Sequence, residues 1–406
     1  MKRFGLIGQR LGHSFSPAIH HMLGDYEYEL YPMEPDALAD FLQTTALDGF
    51  NITIPYKNAV IPFCERLTDR AKAIGSVNTM TRLPDGGWLG DNTDYDGFLA
   101  LLGKDADTLR GKKALVLGSG GASKTVCAVL RGCGIAPVVI SRTGENNYQN
   151  LPQHGDAELV VNATPVGMYP NNGRSPLNLK ILPNCKLVLD LIYNPAKTAL
   201  LLQAESLGIP ARNGLVMLVA QAVRASERFC DTQIPDSEIA RITDTIAAQT
   251  RNIILIGMPG CGKSTVARYL GERTGRPVVD IDKEIVKTIG MDIPSYFAQF
   301  GEGAFRAVET QVLRSACAES GRIIATGGGV VTMPENRDLL RQNGVVLFLN
   351  CDKQRLSAKG RPVTQRDGID ALLKKRLPLY HAWCDAVYEN TSSQATAQKI
   401  QEDWML

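Results

Sequence analysis

At 406 residues the chain has room for two to three domains of about 150 residues each, and 44% hydrophobic with 21% charged residues is the make-up of ordinary globular protein, not of a disordered or fibrous chain. Charge is nearly balanced, with 23 basic against 25 acidic residues before position 250 and 21 against 17 after it, so neither half has the basic excess of a nucleic-acid binder. Nine cysteines without a C-x-x-C pair argue against a zinc cluster or a disulfide framework, and no run approaches the about 20 apolar residues of a membrane span, so a cytoplasmic protein is expected.

Residues 4–7 read as a first strand ending at Gly8, followed by the loop Gly12-His13-Ser14-Phe15-Ser16-Pro17 and a helix over 18–23 opened by proline. The two serines are either caps of that helix or ligands of a small molecule. A second strand, 48–54, stops at Pro55-Tyr56-Lys57, where a lysine is ordinarily solvated. Two polar loops follow, Ala73-Ile-Gly-Ser-Val-Asn78-Thr and Gly90-Asp-Asn92-Thr-Asp94-Tyr-Asp-Gly97. Their amides, hydroxyls and carboxylates suit a polyhydroxylated small molecule.

Residues 114–117 form an apolar strand running into Gly118-Ser-Gly120-Gly121-Ala122-Ser123 and a helix through 130. This is a dinucleotide fingerprint in which Ser123 stands where glycine or alanine is usual. The next strand, 137–143, ends in Ser141-Arg142-Thr143. Arginine in place of the ribose-binding acid can pair with a 2′-phosphate, which favours NADP(H) over NAD(H); the bland alternative is a surface charge. Strands at 159–168 and 187–193 also end in polar residues, and Asn213-Gly214 opens an apolar helix with Gln221 on its polar rim. A helix over 234–248, signalled by Ser237, and a brief linker at 249–251 close this part.

Residues 253–256 lead into Gly257-Met-Pro-Gly260-Cys261-Gly262-Lys263-Ser264-Thr265, the strand, loop and helix start of a P-loop. There backbone N–H groups converge on phosphate at a helix N-terminus, Lys263 reaches the β- and γ-phosphates, and the Ser264 hydroxyl ligates Mg²⁺. Pro277-Val-Val-Asp280-Ile-Asp282 reads as a strand ending in two carboxylates on one face, one for the metal and one for an acceptor hydroxyl. Arg306 and Glu309 share a helix face, a surface ion pair in the bland reading, and Thr326-Gly327-Gly328-Gly329 lets a ligand approach the backbone.

The segments Gly-His-Ser-Phe-Ser-Pro, Asn-Ile-Thr-Ile-Pro-Tyr-Lys, Ser-Val-Asn-Thr and Gly-Asp-Asn-Thr-Asp, in that order, resemble the substrate domain of shikimate dehydrogenase. The resemblance implies that Ser14 and Ser16 bind the substrate carboxylate, and that Thr53, Asn78, Asp94, Tyr193 and Gln221 contact the remainder. Lys57 is then catalytic, with Asp94 beside it. Gly118, Gly120, Gly121, Ala122, Ser141, Arg142, Thr143 and Gly214 are implied to hold NADP(H).

The P-loop, Asp-x-Asp, Gly-Glu-x-x-Phe-Arg-x-x-Glu, Thr-Gly-Gly-Gly, Gly360-Arg361-Pro362 and Arg376-x-Pro378-x-Tyr380 resemble shikimate kinase. By that resemblance Arg306 and Arg376 hold the shikimate carboxylate, Gly328 lies at the substrate, and Asp282 orients the acceptor hydroxyl. Gly260, Cys261, Gly262, Lys263, Ser264 and Thr265 hold ATP, Ser264 and Asp280 serve Mg²⁺, and Arg361 acts from a lid that is short between Asn350 and Arg361.

The expected fold is α/β throughout. A substrate-binding domain (1–103, completed by the helix at about 214–248) surrounds a Rossmann NADP-binding domain (104–213), and a P-loop kinase domain with parallel sheet (251–406) follows. Two consecutive reactions of aromatic amino-acid biosynthesis are implied: NADPH-dependent reduction of 3-dehydroshikimate to shikimate, then its ATP-dependent phosphorylation to shikimate 3-phosphate. Two rivals use the same residues, a quinate/shikimate dehydrogenase joined to a kinase for another polyol, and a non-catalytic metabolite-binding regulator. No nucleic-acid or membrane partner is expected, and self-association into a homo-oligomer stays open.

Overall fold

The structure is a computed structural model that describes residues 1–12, 14–356 and 362–406. It divides into two compact units, Met1–Tyr193 with Leu200–Ile246, and Asn194–Ala199 with Ala247–Leu406. None of the helices among the described residues is long and apolar enough to cross a membrane.

The first unit opens with a six-stranded sheet built from β1 (Arg3–Gly8), β2 (Glu27–Pro32), β3 (Gly49–Ile52), β4 (Arg66–Leu67), β5 (Thr79–Arg82) and β6 (Trp88–Asp91), in the order β2-β1-β3-β5-β6-β4. β1 is parallel to β2 and β3, whereas β5 runs antiparallel to both β3 and β6. These directions decide where the polar loops go. The chain leaving β1, β3 and β6 and the chain entering β5 all lie at one edge of the sheet, which gathers the segments carrying Ser14, Lys57, Asn78 and Asp94.

Thr79 of β5 and the second half of β6, Gly90 and Asp91, fall in stretches that read as polar loops, and β2 carries glutamates at 27 and 29 that interrupt any apolar run. In each case strand pairing, not a hydrophobic pattern, makes the strand. The helix expected over 18–23 lies over Ser16–His21.

The second sheet, β7 (Lys113–Leu117), β8 (Ala136–Ile140), β9 (Leu159–Asn162), β10 (Leu187–Asp190) and β11 (Ala211–Arg212), is wholly parallel in the order β11-β10-β9-β7-β8. Every residue of β9 and β10 is buried, as in a sheet covered on both faces. The strand order reverses between β7 and β9, and open α/β sheets bind ligands at the carboxyl ends of such strands. The strands expected over 137–143, 159–168 and 187–193 stop earlier, at Ile140, Asn162 and Asp190, because the chain turns where its polar residues begin.

Helix Leu215–Cys230 then returns to the first sheet, where Phe229 stacks on Phe4 of β1 with ring centroids 4.3 Å apart. Tyr26 and Ala225 complete that apolar cluster.

The second unit holds β12 (Asn252–Ile256), β13 (Val278–Asp280), β14 (Ile323–Ala325), β15 (Gly344–Asn350) and β16 (Ala386–Glu389), all parallel, ordered β13-β14-β12-β15-β16. β12 is central and fully buried, so the loop leaving it opens at the middle of the sheet. One expectation is corrected here. Asp280 ends β13 and Asp282 lies in the first turn of helix Ile281–Ile289, so the two carboxylates do not share a strand face. Asp280 caps that helix, accepting the Lys283 N–H on one oxygen at 3.3 Å.

Candidate active sites

At the gathered edge of the first sheet, Lys57 Nζ lies 2.5 Å from Asp94 Oδ2. Both side chains are mostly shielded from water, 18% and 8% exposed, so the surface-lysine reading fails. The other carboxylate oxygen, Oδ1, accepts from Asn78 Nδ2 at 3.0 Å, and the same amide lies 3.4 Å from Gln221 Oε1. The Asn78 amide cannot be reversed, because its oxygen accepts the Thr93 N–H at 2.7 Å and a backbone N–H can only donate. Asp94 is held in turn at the start of helix Asp94–Leu102. Lys57, Asp94, Asn78 and Gln221 therefore form one connected constellation drawn from four separate segments.

Ser14 and Ser16 face one another at 3.2 Å between oxygens; the Ser14 oxygen also accepts the N–H of Ser16, the first residue of helix Ser16–His21, at 3.3 Å, so the capping reading holds for Ser14 and leaves the Ser16 hydroxyl outside it. The Tyr193 hydroxyl belongs with them: burial pushes its pKa up, opposed by a hydrogen bond with Ser14. The Tyr193 ring lies 5.2 Å from that of Phe15. Thr53 sits in the turn after β3, its N–H donating to the Ile7 carbonyl at 2.9 Å and its carbonyl accepting from Tyr56 N–H at 2.9 Å.

The glycine turn after β7 reaches the same place. A Cβ placed on Gly121 would lie 3.9 Å from Lys57 Cβ and 3.4 Å from Ser76 Oγ, so the fingerprint loop borders the lysine directly. Gly118 has φ +102°, and a side chain there would meet Thr164 after β9 at 2.9 Å, so the loop needs glycine to fit at the strand-order reversal. Gly120 precedes helix Gly121–Gly132, whose first-turn N–H groups, Ala122 among them, have no intrahelical acceptor. Those donors suit a pyrophosphate. Gly214 sits just before helix Leu215–Cys230.

Ser141 forms an isolated bridge with Asn147, while Arg142 and Thr143 are exposed on the turn that follows β8. Arg142 makes no ion pair or side-chain hydrogen bond among the described residues, so its donors remain available for an anionic ligand.

In the second unit a cavity of about 360 Å³ is lined by Gly260, Gly262, Lys263, Ser264, Thr265, Asp282, Arg306, Glu309, Gly327, Gly328, Gly329 and Arg376, among others. Gly257, Gly260 and Gly262 have φ of +146°, +88° and +95°, conformations that fold the loop around phosphate and that side chains resist. Lys263, buried, donates to the carbonyls of Gly257 and Met258 at 2.9 Å each, with Cys261 Sγ 3.8 Å away. Asn390, which the sequence does not mark, braces the loop by donating to the Cys261 carbonyl at 2.7 Å. Its signal is absent because it comes from the far end of the domain.

Arg306 Nη1 lies 2.6 Å from Glu309 Oε2, and both side chains are buried, so this is no surface pair. Burial pushes the Glu309 carboxyl up, opposed by the charge of Arg306. A Cβ on Gly329 would lie 2.2 Å from the Arg306 guanidinium, which shows why that position carries no side chain. Arg376 Nη1 and the Tyr380 hydroxyl both donate to the Gly328 carbonyl, at 3.2 and 2.5 Å. The Nε atoms of Arg306 and Arg376 are buried without a hydrogen-bond partner, as expected where an anion completes the set. Ser264 and Asp282 supply hard oxygen donors to this cavity, and among the described residues no cluster of three or more His, Cys, Asp or Glu forms a dedicated metal cage. That donor set fits Mg²⁺, which keeps waters and phosphate oxygens as its main ligands. Arg361 lies outside the described residues, as do residues 357–360 of the short lid segment before it.

The model of the family described as shikimate dehydrogenase substrate binding domain matches residues 6–80, and the one described as shikimate kinase matches residues 259–404. A protein named shikimate dehydrogenase (NADP(+)) from Shouchella clausii is 37% identical over 256 residues, covering 56% of this chain and 92% of that protein. Among solved structures, shikimate dehydrogenase 1 of Peptoclostridium difficile has 33% identity and a TM-score of 0.56 over 61% of this chain and 98% of its own. The Thermus thermophilus enzyme, solved in complex with NADP(H) and shikimate, has 31% identity and a TM-score of 0.55 over 60% and 99%.

Proposed function

The chain belongs to the shikimate dehydrogenase family and carries a shikimate kinase domain behind it, and from that premise we infer a bifunctional enzyme that makes two consecutive products. It reduces 3-dehydroshikimate to shikimate with NADPH and then phosphorylates shikimate to shikimate 3-phosphate with ATP. The observation that carries the first half is the Lys57–Asp94 pair bordered by the fingerprint loop. The cavity joining the P-loop to two buried arginines carries the second.

NADPH, when bound, supplies the hydride that reduces the 3-keto carbon. Lys57 polarises the keto oxygen and donates its proton to it, and Asp94 keeps the ammonium in place. Asn78, Thr53, Gln221 and Asp94 contact the ring oxygens, and the hydroxyls of Ser14, Ser16 and Tyr193 take the carboxylate. The first-turn amides of helix Gly121–Gly132, with Gly118, Gly120 and Gly214, cradle the cofactor, and Ser141, Arg142 and Thr143 recognise its 2′-phosphate.

In the kinase unit Asp282 orients the acceptor hydroxyl and accepts its proton as the oxygen attacks phosphorus. Lys263 and the amides of Gly260 to Thr265 balance the charge of the phosphates, Arg361 acting with them. Mg²⁺, when bound, would be held by Ser264 and would neutralise the phosphate oxygens; the metal role expected for Asp280 is not supported, because Asp280 caps helix Ile281–Ile289 and does not line the cavity. Arg306 and Arg376, beside Gly328, hold the shikimate carboxylate. The nine cysteines are all free, which suits a reducing cytosol.

The test is an assay of the purified chain with 3-dehydroshikimate, NADPH, ATP and Mg²⁺. NADPH consumption with formation of shikimate 3-phosphate is expected. Oxidation of quinate in preference to shikimate with NADP⁺ would move the assignment to the quinate rival, and absence of both turnovers would move it to the non-catalytic one.

A further inference from the structure

The arginine assigned to the acceptor's carboxylate is already met by carboxylates on both of its terminal nitrogens. Arg306 Nη1 donates to Glu309 at 2.6 Å, and Nη2 to Glu302 Oε1 at 3.3 Å. All three residues follow the break at Gly301, whose φ of +80° interrupts helix Ile293–Ala318, and their spacing of four and three puts them on one helical face. Glu309 is 1% exposed and belongs to the cavity wall, but Glu302 is 34% exposed and is not among the residues that line the cavity. Its second oxygen, Oε2, accepts from Arg366 Nη2 at 3.0 Å. Arg366 is also paired with Asp367, its Nε 2.6 Å from Oδ1.

Glu302 is thus shared by one arginine that faces the ligand and one that does not. A ligand carboxylate arriving at Arg306 meets a cation whose charge is offset by a carboxylate outside the cavity lining, and burial of the arginine leaves that offset poorly screened. The size of the offset depends on how much of the Glu302 charge Arg366 balances. We propose that Glu302 is a specificity-determining residue of the kinase site, setting the affinity for the acceptor's carboxylate through its division between Arg306 and Arg366. The proposal rests on the reading of this cavity as the shikimate site.

The experiment is phosphorylation kinetics of the full chain without NADP(H), so that the dehydrogenase site is idle. Glu302→Gln removes the opposing charge and should lower the shikimate KM by about three- to tenfold with kcat little changed, the range for one charge at a partly buried site. Arg366→Ala leaves the Glu302 charge unbalanced and should raise KM by a similar factor. In the Glu302→Gln background Arg366→Ala should have little further effect, because the charge it balances is gone. Shikimate methyl ester, which lacks the anionic charge, should respond to none of these changes whether measured as acceptor or as inhibitor.

An unchanged or raised KM in Glu302→Gln, or an equal shift for the ester, overturns the proposal, since either would mean that Glu302 only shapes the helix. If Glu302→Gln fails to fold, Arg366→Ala alone decides: a KM that stays the same or falls also overturns it. Failure of the wild-type chain to phosphorylate shikimate is a separate outcome, which removes the assignment of the cavity and with it the inference.

Discussion

Asp94 stands between two donors, with Lys57 Nζ 2.5 Å from one carboxylate oxygen and Asn78 Nδ2 3.0 Å from the other. Such a carboxylate fixes the lysine by charge and is itself fixed by an amide that cannot flip. Asp94→Asn keeps the shape and loses the charge, so keto reduction should fall by about 10²-fold or more in kcat, the usual scale for a disturbed general acid. Lys57→Ala should abolish reduction while phosphorylation of added shikimate survives, and Lys263→Ala should do the reverse. Mixing the two variants should restore the full conversion through free shikimate; retention of either lost activity in its own variant would refute the assigned residue.

Arg142 is exposed and without an ion-pair partner among the described residues, so its charge is free to discriminate cofactors. Replacing it with a neutral residue should weaken NADPH by about 2 to 3 kcal/mol, the worth of a lost charge-assisted contact, and leave NADH nearly unchanged. Equal losses for the two cofactors, read from their KM values, would refute the role.

Arg306→Lys keeps a positive charge but not a planar fork, and Glu309 and Glu302 then compete for one ammonium. The shikimate KM should rise by about tenfold or more with ATP affinity largely kept. If ATP affinity collapses instead, the arginine belongs to the nucleotide site.

His20 is buried in the first unit, its Nδ1 2.8 Å from the Tyr26 hydroxyl and its ring stacked on Tyr28 at 3.8 Å. Burial pushes its pKa from 6.5 down to about 3, against a weaker pull from Asn51. The unfolded chain protonates this imidazole near 6.5 and the folded chain only near 3, so its contribution is full above 6.5 and is lost as pH falls toward 3. Over that window the wild type should lose about 1.4 kcal/mol per pH unit more than His20→Gln, which does not titrate. Backbone amide exchange of β1 and β3 in the full chain at pH 6.5 and below would read this. Parallel acid profiles for the two proteins would show that His20 is accessible to protons when folded.

The sequence alone settles the chemistry that depends on neighbours in the chain. A P-loop is a local fold: strand, glycines at positive φ, lysine and serine lie within thirteen consecutive residues, and the structure builds them as read. The fingerprint turn after β7 is local in the same way, and buried strands such as β9 announce themselves because both faces must be apolar. Asp280 and Asp282 show the limit of that logic. Alternation along a strand puts them on one face, but the chain changes from strand to helix between them, and two residues are too few for periodicity to report the change.

What only the tertiary structure decides is the company each charge keeps. Lys57 becomes more than a surface lysine because β3, β5 and β6 alternate in direction and so bring Asn78 and Asp94 to its side from 21 and 37 residues away. Whether Arg306 is solvated or buried between two acids, and whether one of those acids is shared with Arg366 some 60 residues on, depends on packing. No pattern of residue types records such pairings, since the Coulomb energy follows distance through space and burial, not separation along the chain.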